Sequence, residues 1–170
     1  MSEESMHKII CLEMLKQREY DILESDSEKI IGVNSKDEKI CVILSVIPKF
    51  NVERIEQCIS FVNELEIKHA ICIYSDNITS VAKTMIEKMV DMKIELFNVE
   101  ELQFNITKHR LVPEHVKVSP QDASVIKKEV GLKFGSLLKV DPITRFYGYE
   151  KGDIIKISRK NGVVTYRIVR

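Results

Sequence analysis

Between residues 51 and 65 the apolar side chains Val52, Ile55, Ile59, Val62 and Leu65 recur three and four positions apart. That spacing puts them on one face of an α-helix, with Asn51 placed to cap its start. Two short runs of strand-forming residues frame this helix, KICVILSVI (39–47) and HAICIYS (69–75). A second helical pattern carries Ala82, Met85, Ile86, Met89 and Val90 on its apolar side, and KIELFNV (93–99) returns to strand. Strands alternating with helices point to a sheet covered by helices.

Upstream, residues 6–20 read as an amphipathic helix with Ile9, Ile10, Leu12, Met14 and Leu15 on its apolar side. KIIGV (29–33) is a further strand, joined to 39–47 by the polar turn NSKDE. Pro48 is expected to end the 39–47 strand, because it cannot donate to a ladder. Two adjacent strands followed by alternation predict a mixed sheet. The methionines of the second helix read as core filling.

Beyond residue 108 the texture changes: five of the six glycines and three of the four prolines lie there, so turns are denser. In SPQD (119–122) Ser119 caps a helix, Pro120 takes its first position and Asp122 its first turn, with Gly131 closing it. The alternating runs around Asn161-Gly162 predict a terminal hairpin, since both residues tolerate positive φ. The expected class is therefore α+β in two domains, 1–109 and 110–170: an N-terminal mixed sheet flanked by helices, then a small α+β domain ending in a hairpin.

With 44% hydrophobic and 31% charged residues the chain has a globular balance, and no apolar run approaches the length of a membrane span. MSEESMHKII is polar and acidic, unlike a leader peptide. Cys11, Cys41, Cys58 and Cys72 form no CxxC pair and lie in apolar segments, which reads as buried free thiols in a reducing compartment. The zero net charge conceals an asymmetry: residues 1–109 hold 13 basic and 20 acidic side chains, residues 110–170 hold 13 and 6. The basic part suits an acidic protein surface or a phosphate backbone, and charge alone does not choose between them.

Catalytic motifs are missing. There is no glycine-rich phosphate loop, no GxSxG elbow and no HExxH helix. A sheet of this kind could hold a nuclease site, which needs metal-binding carboxylates near a strand lysine. The candidate Lys49 has Ile47 two residues before it, and Asp37 and Glu38 fall in the preceding turn. No catalytic residue, metal ligand or cofactor is therefore expected. His109 and His115 read as incidental to a boundary loop. DPITRFYGYEKGD (141–153) could be a binding loop, a catalytic turn or a structural corner. Asp141-Pro142 as a capped helix start, with Gly148 and Gly152 turning the chain, favours the corner. Phe146 and Tyr147 could stack on bases, yet aromatics beside a glycine turn more often plug a core.

Three segments, ITKHRLVPEHV (106–116), DPITRFYGYEKGDIIKISR (141–159) and TYRIV (165–169), resemble the signature segments of one family. It is the small jaw-bearing subunit shared by the nuclear RNA polymerases, whose archaeal members resemble only the second part of this chain. The run from 51 to 92 resembles the N-terminal jaw of the two-domain eukaryotic or viral form. The resemblance implies a non-catalytic subunit of a DNA-directed RNA polymerase. Its C-terminal domain would anchor on the largest subunit, and its inactive restriction-endonuclease-like jaw would lie near downstream duplex DNA.

Within that resemblance, IYSDNITSVAK (73–83) matches the DNA-proximal loop and points to Asn77, Ile78, Thr79, Ser80 and Lys83. Ser80 stands where many members carry proline, which bears on the loop's rigidity. A plain strand-to-helix connection capped by Thr79 is the alternative. Arg145, Tyr147 and Arg167 are the expected docking residues. The implied partners are the largest and other polymerase subunits in a hetero-oligomer, with weak non-specific DNA contact and no membrane. The implied location is the nucleus, or a cytoplasmic factory or virion if the polymerase is viral. The short jaw and the tight KNG turn suit a streamlined polymerase. The rival reading is a diverged, stand-alone nuclease-like DNA-binding protein.

Overall fold

The structure, a computed structural model, describes residues 5–130 and 134–170. The chain forms two compact units that divide between Phe104 and Asn105.

The first unit contains α1 (Met6–Gln17), β1 (Asp21–Ser25), β2 (Lys29–Val33), β3 (Lys39–Phe50), α2 (Val52–Glu64), β4 (His69–Ile78), α3 (Ser80–Lys88) and β5 (Lys93–Asn98). Its five-stranded sheet has the order β1-β2-β3-β4-β5. The β1/β2 and β2/β3 pairs are antiparallel, whereas β3/β4 and β4/β5 are parallel, so the sheet is mixed as expected. Strand alternation divides the apolar residues between two faces. Cys41, Ile43, Ala70, Cys72 and Ile94 pack with Ile55, Cys58 and Val62 of α2 and Ala82 of α3. Residues of the opposite parity, Ile40, Val42, Ile71 and Ile73, are also buried, and α1 buries Cys11, Met14 and Leu15. Asn51 caps α2 as predicted, its side chain accepting from the Arg54 amide at 3.0 Å.

Several expectations are corrected here. Strand β3 runs through Pro48 to Phe50. The pairing with β4 shifts register between Ile47 and Lys49, so Pro48 falls at an irregularity where its missing donor does no harm. Strand β1 has no counterpart among the predicted elements, because all its residues are exposed and it lacks an alternating pattern. Helix α1 stops at Gln17: Glu19 takes φ 62°, and the Tyr20 amide reaches back to the Leu15 carbonyl at 2.9 Å. This is a Schellman ending with glutamate at the left-handed position. Glu66 ends α2 in the same way at φ 55°. Val90 lies beyond α3 and is 93% exposed, so it does not belong to that helix's buried face.

The second unit contains β6 (Glu114–Lys117), α4 (Pro120–Val130), β7 (Gly135–Leu137), α5 (Pro142–Tyr147), β8 (Ile154–Ser158) and β9 (Val164–Val169). The sheet order is β6-β8-β9-β7, with β7/β9 parallel and the other pairs antiparallel. Leu137, Tyr149, Ile155, Ile157 and Val169 form its core. Ser119 caps α4 by accepting from the Asp122 amide at 3.1 Å. Gly131, expected to close α4, lies outside the described residues.

The terminal hairpin forms, but its turn differs from the two-residue one implied by Asn161-Gly162. Only Gly162 has positive φ, 81°. The Gly162 amide donates to the Arg159 carbonyl, and the Arg159 amide to the Val163 carbonyl, both at 2.9 Å. This is the longer loop with a glycine bulge.

The corner at 141–153 is built as its sequence predicts. Asp141 accepts from the Ile143 amide at 2.9 Å, Pro142 opens α5, and Gly148 at φ 67° ends it. Gly152, at φ 95°, then leads into β8.

Candidate nucleic-acid and subunit interfaces

The segment resembling a DNA-proximal loop is mostly regular structure. Strand β4 pairs with β3 as far as Asn77 opposite Lys49 and Ile78 opposite Phe50. The Thr79 amide donates to the Phe50 carbonyl at 3.0 Å, and α3 begins at the next residue. Thr79 caps α3, its hydroxyl accepting from the Ala82 amide at 3.3 Å and its carbonyl from the Lys83 amide at 3.0 Å. Serine in place of proline at position 80 therefore leaves a junction held on both sides by backbone bonds.

The five candidate residues do not share one role. Ile78 packs against the sheet–helix core. Asn77, Ser80 and Lys83 are exposed, whereas Thr79 is half-buried. The start of α3 points unpaired amides outward, which favours an anion. Exposed Asp76 opposes one from the strand just before the junction. The arrangement can offer a phosphate amides, a hydroxyl and one lysine; it has no side-chain set for reading bases.

Lys49 is exposed at the end of β3, and Ile47 contributes no carboxylate. Asp37 occupies the turn before the strand at φ 61°, and Glu38 accepts from the Asn34 side chain at 2.7 Å. Among the described residues no group of three His, Cys, Asp or Glu side chains is placed to hold a metal. His109 serves a local turn, whereas His115, expected in the same loop, is buried within β6 opposite Ile157. His115 Nδ1 donates to the Pro113 carbonyl at 2.8 Å, and His109 Nδ1 accepts from the Leu111 amide at 3.3 Å.

A strongly perturbed carboxyl in the first unit is Glu95 on β5, which sequence reasoning did not single out. Its two oxygens accept from both terminal nitrogens of Arg18, each at 2.9 Å, and His69 Nε2 donates to it at 2.6 Å. Burial pushes the Glu95 carboxyl up, but Arg18 and His69 together outweigh this and hold it well below the usual carboxylate range. The triad joins the end of α1 to β4 and β5 and is almost wholly enclosed, so it is a structural tie.

In the second unit, Arg145 and Tyr147 lie on α5 and Arg167 on β9. Tyr147 stacks on Tyr149 at 5.0 Å between ring centroids and meets Phe146 edge-on. Tyr149 is fixed beneath by its hydroxyl, which donates to the His115 carbonyl at 3.1 Å. Arg167 lies across Gly135 and donates to the Ser136 carbonyl at 3.1 Å. Between β7 and α5 the chain exposes Leu138 and Val140, at 59% and 74%. Lys139 between them pairs with Glu150. Sequence reasoning missed these two apolar side chains, although they stand directly before the Asp141-Pro142 helix start that was visible, because β7 itself was not among the predicted elements.

Residues 104–169 match the family model described as RNA polymerase Rpb5, C-terminal domain. A putative DNA-directed RNA polymerase subunit 454R of Invertebrate iridescent virus 6 is 34% identical, over 95% of this chain and 96% of its own. The subunit rpabc1 of DNA-directed RNA polymerases I, II and III from Dictyostelium discoideum is 27% identical, over 92% of each chain. A repair endonuclease from Pyrococcus abyssi overlays 58% of this chain and 49% of its own, with a TM-score of 0.39 and 15% identity, a likeness too slight to bear on activity.

These matches define the class of the protein as a subunit of a DNA-directed RNA polymerase. Within that class the chain belongs to the Rpb5 family, in the two-domain form that eukaryotic and viral relatives share.

Proposed function

We propose that this chain is a non-catalytic architectural subunit of a eukaryotic or viral RNA polymerase. The second unit anchors it on the largest subunit, and the first forms part of the lower jaw beside downstream duplex DNA. The observation that carries the anchoring is the exposed pair Leu138 and Val140 on the basic second unit, which also bears Arg145, Tyr147 and Arg167. A unit that exposes apolar side chains and also carries cationic and aromatic ones has the composition of a protein–protein contact. An acidic or mixed face on the largest subunit complements it, setting encounter and register more than affinity.

The jaw reading rests on the β4–α3 junction, where Ser80 and Lys83 meet solvent. The acidic excess of the first unit keeps its own DNA affinity low, so contact depends on being held there by the assembly. The polymerase works in the nucleus, or in a cytoplasmic factory or virion if it is viral. An Arg145→Glu, Arg167→Glu double variant, tagged and expressed with the remaining subunits, is expected to lose co-purification with the largest subunit. Recovery at wild-type yield sinks the anchoring assignment. Incubation of the purified chain with DNA and Mg²⁺ or Mn²⁺ is expected to leave the DNA intact, and metal-dependent cleavage would favour the nuclease reading.

A further inference from the structure

The first unit contains an opening into its core that neither anchoring nor DNA contact uses. A cleft of about 460 Å³ lies between the second half of β3 and α2, walled by Val46, Ile47, Pro48 and Phe61. Cys58 of α2 lines it, and Arg54 stands one helical turn before Cys58 on the same wall. Behind Cys58, inside the core shared by the sheet and α2, sits Cys72 of β4, whose thiol hydrogen-bonds to the Cys58 sulfur. Cys41 of β3 belongs to the same core but does not line the cleft, and Cys11 is buried on α1.

We propose that Cys58 and Cys72 are a hydroperoxide-oxidisable dithiol, with Cys58 as the attacking sulfur and the cleft between β3 and α2 as the oxidant's entry. Three features make Cys58 the attacking group. Of the four cysteines it is the one that borders this cleft, which is large enough for a hydroperoxide. Its sulfur accepts a hydrogen bond from Cys72, and the Arg54 guanidinium lies nearby. Hydrogen bond and guanidinium both favour the thiolate, and together they outweigh burial and lower its pKa. The other thiols move the opposite way. Burial pushes Cys11 up to about 12 and Cys41 to about 11, and Cys72 is raised by its bond to Cys58 and by burial.

The chemistry balances in two steps. The Cys58 thiolate places an electron pair on the distal peroxide oxygen, the O–O bond breaks, and the leaving oxygen departs as hydroxide or alkoxide. Cys58 is then a sulfenic acid. The Cys72 sulfur attacks the sulfenyl sulfur, its proton leaves with the displaced hydroxyl as water, and a disulfide joins α2 to β4. Two thiols lose two electrons, and the peroxide gains them. The proximity of Cys72 makes disulfide formation the exit from the sulfenic acid and prevents further oxidation.

The test uses the full chain and hydrogen peroxide near neutral pH, followed by alkylation and peptide mapping. The expected product is a Cys58–Cys72 linked peptide that dithiothreitol reverses, with Cys11 still reduced. N-ethylmaleimide should modify Cys58 faster than Cys11. Burial raises the Cys11 thiol to about 12 whereas Cys58 is lowered, so Cys58 holds the larger thiolate fraction at neutral pH, a lead that its lower intrinsic nucleophilicity reduces without reversing. In Cys72→Ala, dimedone should trap a sulfenic acid on Cys58; in Cys58→Ala, Cys72 should stay reduced. A linkage through Cys41 or Cys11, or a Cys58 no more reactive than Cys11, overturns the proposal. The wild-type mapping decides this even if either variant folds poorly.

Discussion

Replacing Glu95 by glutamine should destabilise the first unit by about 3 kcal/mol, near the lower end of what breaking a buried ion pair costs. The figure follows from the bonds at the site. The carboxylate accepts two guanidinium N–H groups at 2.9 Å and the His69 ring N–H at 2.6 Å. Glutamine keeps one acceptor oxygen and turns an NH2 toward a guanidinium that is only 4% exposed. At least one charge-assisted bond is lost outright and another becomes neutral, at about 1.5–3 kcal/mol for each charged bond. Arg18 has further interactions, which keeps the loss at the lower end. The corresponding fall in melting temperature for a unit of this size is about 12 °C or more.

The pH dependence distinguishes this account from a simple packing defect. The folded-state pKa of Glu95 lies below its ordinary value of 4.5. The stabilisation is therefore complete above that value and is lost as pH falls through the folded-state pKa, by about 1.4 kcal/mol per pH unit. Urea titrations followed by circular dichroism at pH 7 and pH 3 would measure it, with hydrogen exchange assigning the transition to the first unit. The wild type should lead the variant by about 3 kcal/mol at pH 7 and by about 1 kcal/mol at pH 3. A lead under about 1 kcal/mol at pH 7, or one equal at both pH values, refutes the reasoning.

Gly148→Ala forces a side chain onto φ 67° and should cost the second unit about 1–2 kcal/mol, read as a lower urea midpoint. Glu66→Gly relieves the same conformation at φ 55° and should be neutral or stabilising by up to about 1 kcal/mol, despite loosening the unfolded chain. Thr144→Val removes a buried hydroxyl that has no hydrogen-bond partner, so its urea midpoint should hold or rise; a fall would reveal a bond to ordered water. Tyr149→Phe, by contrast, strands the His115 carbonyl and should lower the midpoint by about 1 kcal/mol or more.

The helices and central strands were legible because their signals are local. The spacing of Ile55, Ile59 and Val62, the Asn51 cap and the Asp141-Pro142 start each act within one or two turns of chain. Strand β1 was not legible, since Ile22 and Leu23 are exposed and the strand exists by pairing with β2. Pro48 misled because its penalty depends on cross-strand register, which only the fold determines. The Glu95 triad was invisible for a similar reason: Arg18 and His69 are 77 and 26 residues away, and nothing in the local pattern marks them as partners. At the candidate surfaces, residue types indicated where to look. Only the structure shows that Ile78 faces the core while Leu138 and Val140 face solvent.

Strand β4 ends at Ile78 and α3 starts at Ser80, so Thr79 is the entire connection between them. Such a splice has no spare length. An inserted residue would either pull Phe50 and Ile78 out of register or unwind the first turn of α3. An epitope, fluorophore or cross-linker handle is therefore poorly placed at 78–80, despite that segment's position on the surface. The turns at 34–38 and 159–163, whose tips are exposed, can take an insertion without shifting a ladder.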